Sequence, residues 1–131
     1  MPSQVQAPLM PAPPVIERLR AAMNARDVAG MVACFHPDYV SERPCHRGAR
    51  HRLEQARRNW SDLFRNVPDF RAELVRWAAA GDEVWTEWHW SGTHADGGDF
   101  EMRGTIIYGL TGDQILWARL YIEPVVLSQE L

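Results

Sequence analysis

Lysine is absent from this chain, and all fourteen of its positive side chains are arginine. That absence removes Schiff-base chemistry and the lysine of a phosphate-binding loop. Cysteine is scarce: only Cys34 and Cys45 are present, in a chain of 131 residues long enough to bury a core without covalent staples. The pair suits a reducing compartment. No apolar run approaches the length needed to span a bilayer. The opening residues, MPSQVQAPLMPAPP, have neither a basic region nor a continuous apolar one, so residues 1–13 are expected to be a disordered Pro-rich tail and not a secretory signal. A formal charge of −3 offers no clustered positive field for phosphates. We therefore expect a cytoplasmic protein with neither nucleic acid nor membrane as a partner.

What is present is a change of period. From Pro14, a residue suited to a helix's first turn, Val15, Ile16, Leu19, Ala22 and Met23 recur at helical spacing. Asp27 is placed to cap a second, short helix through Val28, Met31, Val32 and Phe35, stopped by His36-Pro37-Asp38. Tyr39 to Glu42 is then a short extended piece, followed by a polar loop from Cys45 to Arg50. Leu53, Ala56, Trp60, Leu63, Phe64 and Val67 trace one face of a third helix, which Pro68 stops. Beyond it the period falls to 2, and Gly81-Asp82, Gly97-Gly98 and Gly112-Asp113 divide the chain into four strands. These are Phe70 to Ala79, Glu83 to Thr93, Asp99 to Leu110 and Gln114 to Val125, an antiparallel meander with Tyr39 to Glu42 as a possible fifth strand. A helical layer followed by one sheet is the α+β arrangement, one domain over residues 14–131.

At this point three stretches, "NARDVAGMVACFHPDYV", "WSGTHADG" and "ILWARLYIEP", resemble the nuclear transport factor 2-like superfamily in its SnoaL-like, polyketide-cyclase branch, from about Val15 to Val125. The resemblance implies a cone-shaped α+β roll, three N-terminal helices on a curved antiparallel sheet, with a cavity between the layers. It also implies a working carboxylate near the end of the last strand, where Arg119, Tyr121 and Glu123 stand at alternate positions. Alternation puts these three and Trp117 on one face, and that polar face is expected to line the cavity. Glu123 would move a proton there, with Tyr121, Arg119 or His94 stabilising developing negative charge. Two other catalytic sets of the superfamily are broken. Trp88 and Trp90 stand where limonene-epoxide-hydrolase-like relatives carry an Arg and an Asp, and Arg43 precedes Pro44 where ketosteroid-isomerase-like relatives carry an Asp.

Six tryptophans are many for this length. Trp88 and Trp90 share a face with Val84 and Thr86, Trp60 is expected to meet them from the third helix, and Met102 completes the wall. Such a cage would take one hydrophobic small molecule by stacking and apolar burial. Trp85, Glu87 and His89 should point the other way, onto a face that would join two copies in a homodimer. Cys45, His46 and His51 lack zinc spacing, so no metal is expected, and the chemistry envisaged needs no cofactor. Three functions stay open: a cyclase-, isomerase- or hydratase-type enzyme, a non-catalytic small-molecule-binding domain, and a dimerisation module with a filled pocket.

Overall fold

The computed structural model of the chain describes residues 10–128. Helix α1 (Pro14–Ala25) starts on two prolines and has Glu17 in its first turn, where the carboxylate accepts from the Ala12 amide at 2.8 Å. Its stripe of Val15, Ile16, Leu19, Ala22 and Met23 is buried. Arg26, in the left-handed region at φ 53°, ends it by returning its amide to the last turn. Of the tail expected to be disordered, residues 1–9 lie outside the described residues. Within residues 10–13, Ala12 is buried and the Met10 carbonyl accepts from Trp77, while the Met10 and Pro11 side chains are exposed.

Helix α2 (Val28–Val32) is capped by the Asp27 side chain, as its sequence predicts, but stops short of Phe35. Phe35 instead opens strand β1 (Phe35–Glu42). Proline has no amide to give a ladder, and the pairing of β1 accordingly skips from Phe35 to Val40, which lets the strand pass through Pro37. A short strand missed by periodicity, β2 (Arg50–Arg52), pairs antiparallel with Val40, Ser41 and Glu42. Helix α3 (Leu53–Asn66) follows directly.

Strands β3 (Arg71–Ala80), β4 (Glu83–Thr93), β5 (Asp99–Thr111) and β6 (Gln114–Pro124) form the expected antiparallel meander. One ladder departs from antiparallel: β1 runs parallel to β6, giving the order β2-β1-β6-β5-β4-β3. The helices cover one face. Across the middle of that face Leu74, Trp88, Gly104 and Ile122 lie in register, and one step further Ala72, Trp90 and Met102 do the same. Gly104 has φ +153°, and a Cβ there would fall within the Tyr121 carbonyl and the Ile122 backbone, so close strand approach at this bend requires glycine. This architecture is the α+β cone with helices on one side of a curved sheet. No helix among the described residues is long and apolar enough to cross a membrane.

Candidate functional site

The inner wall follows from alternation on β4. Val84, Thr86, Trp88 and Trp90 are buried, whereas Trp85 is 48% exposed and Glu87 and His89 are half-buried on the other face. Trp88 is fully enclosed and donates to the Thr86 hydroxyl at 2.7 Å, which in turn donates to the Ile106 carbonyl at 2.7 Å. That chain satisfies three buried polar groups, so Trp88 is held as core. Trp90 meets Trp60 of α3 at 5.3 Å and Phe70 at 5.6 Å, both edge-on. Its indole N–H is buried with no partner among the described residues. Met102 packs against the same cluster.

Trp60 also closes a void of about 20 Å³ between helices and sheet. Leu19 and Met31 bound it from α1 and α2, Phe35 and Tyr39 from β1, and Ile106, Tyr108, Ala118 and Leu120 from β5 and β6. A space of this size holds about one water. The lining residues that carry a polar group are Tyr39, Tyr108 and Trp60, and its lining includes no carboxylate or imidazole among the described residues. Burial pushes both phenols well above their ordinary range, Tyr108 further so through Tyr39 and Cys34, so both remain O–H donors. Neither tyrosine was singled out in sequence. The signal was there: Tyr108 sits in the apolar run "TIIYGL" of a central strand, and Tyr39 alternates with Ser41.

The expected convergence of Glu123, Tyr121 and Arg119 with Trp88 and Trp90 does not occur. In β6 the inward residues are Ile115, Ala118, Leu120 and Ile122, so the polar series Trp117, Arg119, Tyr121 and Glu123 faces outward. The reason is that a sheet covered on one side turns its hydrocarbon positions to the helices and its polar ones to water. Glu123, 47% exposed, binds Arg43 at 2.9 Å and His46 at 3.0 Å. The His46 hydrogen bond, then Arg43, holds its carboxyl below the usual range against a smaller opposing effect of burial. Arg119 donates to Glu42 at 3.2 Å and to the Tyr121 hydroxyl at 3.3 Å.

His94 lies apart from both groups. It follows the end of β4, edge-on to Phe100 at 5.5 Å, over a surface crevice of about 400 Å³ shared with Asn66 and Asp96. Among the described residues no group of His, Cys, Asp and Glu has the arrangement of a metal site. Cys34 is buried and Cys45 exposed, both as free thiols.

Comparison with known proteins agrees with this geometry. An uncharacterised cystatin-fold protein from Novosphingobium aromaticivorans is 23% identical, with 84% of this chain and 97% of that one covered at a TM-score of 0.70. A proposed polyketide cyclase from Sinorhizobium meliloti is 21% identical over 86% of this chain and 95% of its own, at 0.67. A protein from Catenulispora acidiphila with a ketosteroid isomerase-like fold, solved with trimethylamine, is 16% identical over 83% and 85%, at 0.70. At such identities these structures speak for the fold alone. No curated protein matches the sequence. The model of the SnoaL-like domain matches residues 16–118, across both helical and sheet layers, and the chain belongs to that family.

Proposed function

We propose that the protein binds one hydrophobic small molecule in the cone between helices and sheet, as a binding domain that performs no proton transfer. The observation that carries this reading is the inner void itself, lined by hydrocarbon, by Trp60 and by the two tyrosines Tyr39 and Tyr108. Placement of Glu123, Tyr121 and Arg119 on the outer face removes the acid–base set from the proposal. Of the aromatic wall, Trp60 lines the void directly, Trp90 packs edge-on behind Trp60, and Met102 and Trp88 belong to the core around them.

The void is water-sized as it stands, so a ligand must displace side chains. The two long helices differ in how firmly they resist this. Helix α1 buries five residues, and the Asn24 amide clasps the Ala72 backbone in both directions at 2.7 and 3.0 Å. Helix α3 buries only Ala56, leaving Leu53, Trp60, Leu63 and Phe64 partly exposed. Less apolar burial means a lower cost of local displacement, and α3 is the side that yields. Titration with toluene, followed on the methyl resonances of Met31, Ile106 and Leu120, is the test. Saturable shifts at these methyls are expected at submillimolar to millimolar concentrations, and their absence would overturn the reading.

A second reading concerns the outer sheet face, where Trp85 is 48% exposed beside a depression of about 200 Å³ that Arg76, Trp77 and Thr105 share. We propose that this face joins two copies about a two-fold axis. Light scattering should report a dimer at micromolar concentration and a monomer for Trp85→Glu; a monomeric parent protein would refute it. The free thiols of Cys34 and Cys45 support the cytoplasm as the residence.

A further inference from the structure

The outer sheet face carries a depression of about 280 Å³ on the half built from β2, β1 and β6, away from the one beside Trp85 on β3 and β4. Val40, Glu42, Arg50, Trp117 and Arg119 border it. Its floor is aromatic. Trp117 stands in register with Gly109 of β5, and a Cβ at that glycine would overlap the indole, so the ring lies directly over bare backbone. The indole is nonetheless only half-buried. The rim is basic. Glu42 pairs in register with Arg50 and Val40 with Arg52, which sets both arginines of β2 on the outer face, about 7 Å apart along the strand. Both side chains are exposed, and neither makes an ion pair or a side-chain hydrogen bond among the described residues. Glu42, the rim's carboxylate, is held by Arg119 at 3.2 Å. Three guanidiniums thus face one carboxylate, in a chain whose formal charge is −3.

We propose that this depression is a binding site, separate from the cone, for a planar aromatic monocarboxylate: the ring lies on the Trp117 indole and the carboxylate pairs with Arg50 and Arg52. Ring on indole supplies apolar contact with a defined orientation, and a guanidinium matches a carboxylate with two parallel N–H groups. Charged residues on an edge strand also deter pairing with another sheet. That role requires neither a hollow nor an aromatic floor beside them, and here both are present. A monoanion suits the site better than a phosphate dianion, because the Glu42 carboxylate borders the same space and repels each added negative charge. The cone cannot take this ligand in its place, since no arginine or histidine borders the inner void.

The probes are 2-naphthoate and 2-naphthamide, which share shape and differ in charge. Each is titrated into the full chain and followed on the Trp117 indole N–H resonance and on the cavity methyls of Met31, Ile106 and Leu120. For 2-naphthoate a saturable shift at Trp117 is expected, with a dissociation constant on the order of 1 mM, while the methyls stay in place. The amide should bind about fivefold more weakly. Arg50→Gln and Arg52→Gln should each shrink that preference, and Arg71→Gln, at an exposed arginine on the opposite edge strand, should leave it intact. Glu42→Gln should tighten 2-naphthoate by about two- to fivefold, because it removes a repulsion and releases Arg119; a purely structural role for these residues predicts no gain. Equal binding of acid and amide, an unchanged preference in both arginine variants, or weaker binding in Glu42→Gln would overturn the proposal. Tighter binding of 2-naphthyl phosphate than of 2-naphthoate would overturn the carboxylate assignment. A silent Trp117 overturns the site whether or not the cavity methyls respond, and the methyl response to toluene decides the cone independently.

Discussion

Between Ile115 and Glu123 of strand β6, the inward residues Ile115, Ala118, Leu120 and Ile122 are hydrocarbon, whereas the outward residues include Arg119, Tyr121 and Glu123. The same division runs across β4, with Trp88 and Trp90 within and Trp85, Glu87 and His89 without. The two faces handle polarity by different rules. Outside, His89 lies 2.7 Å from Glu101 and 3.6 Å from Glu73, Arg76 lies 3.1 Å from Glu87, and water shares the work of holding these charges. Inside, each polar atom must find a protein partner or leave a debt, and the chain from Trp88 through Thr86 to Ile106 shows the first solution while the Trp90 indole N–H shows the second. What this teaches is that the outer face carries its polarity as charge shared with water, whereas the inner face carries little and must pair it within the protein.

The comparison can be broken most severely from within. Trp88→Ala empties a fully buried indole site and should cost about 3–5 kcal/mol in chemical denaturation; a loss under about 1 kcal/mol would mean that the inner face is not packed as described. Gly104→Ala comes next, because it adds a Cβ where the Tyr121 carbonyl already sits and imposes a side chain on φ +153°. The backbone effect alone is about 1–3 kcal/mol, read as a lower midpoint with an unchanged slope. The outer face should answer weakly. Glu123→Gln removes a carboxylate bound to His46 and Arg43 but 47% exposed, and its effect at neutral pH should stay below about 1 kcal/mol.

That last effect has a pH signature whose sign is fixed. The folded protein holds the Glu123 carboxyl below its ordinary range, so the folded state binds the proton less readily than the unfolded chain does. Its contribution is complete above the unfolded carboxyl's titration and disappears as pH falls through the depressed folded one. Stability curves of parent and Glu123→Gln should therefore converge in acid. Divergence in acid would show that the carboxyl is not stabilised by its partners.

Much of this arrangement is legible from residue spacing. Gly81-Asp82 and Gly112-Asp113 mark tight turns, and the period-2 pattern of "VWTEWHW" assigns each tryptophan of β4 to its correct face. The faces of β6 are legible as a pair, since Ala118, Leu120 and Ile122 alternate with Arg119, Tyr121 and Glu123. Choosing between them is where resemblance misleads. The resemblance points the polar series toward a cavity, although a half-covered sheet turns its hydrocarbon inward. Other features leave little local trace. Strand β2 is three residues long and exists through its pairing with β1, and the change from helix to strand at Phe35 depends on the bond that the Ile115 amide makes to the Cys34 carbonyl, far along the chain. Tyr108 leaves no functional trace in sequence, because a tyrosine among isoleucines reads as packing.

The parallel ladder between β1 and β6 gives the sheet a seam with a kinetic meaning. Strands β3, β4 and β5 join through short turns, and each hairpin can zip as soon as its own residues meet. The β1-β2 pair, contributed by the early part of the chain, has no contact of its own with that meander in the sheet and is fastened to it by β6 alone. Closure of the seam brings Phe35 beside Ile115 and Val40 beside Trp117 across nearly the whole intervening chain, so loop-closure entropy falls on this one event. The cone, and with it the void that Tyr39 and Tyr108 line from opposite sides of β6, comes into being at that step. An emerging chain would carry its helices and its hairpins well before it carried a pocket.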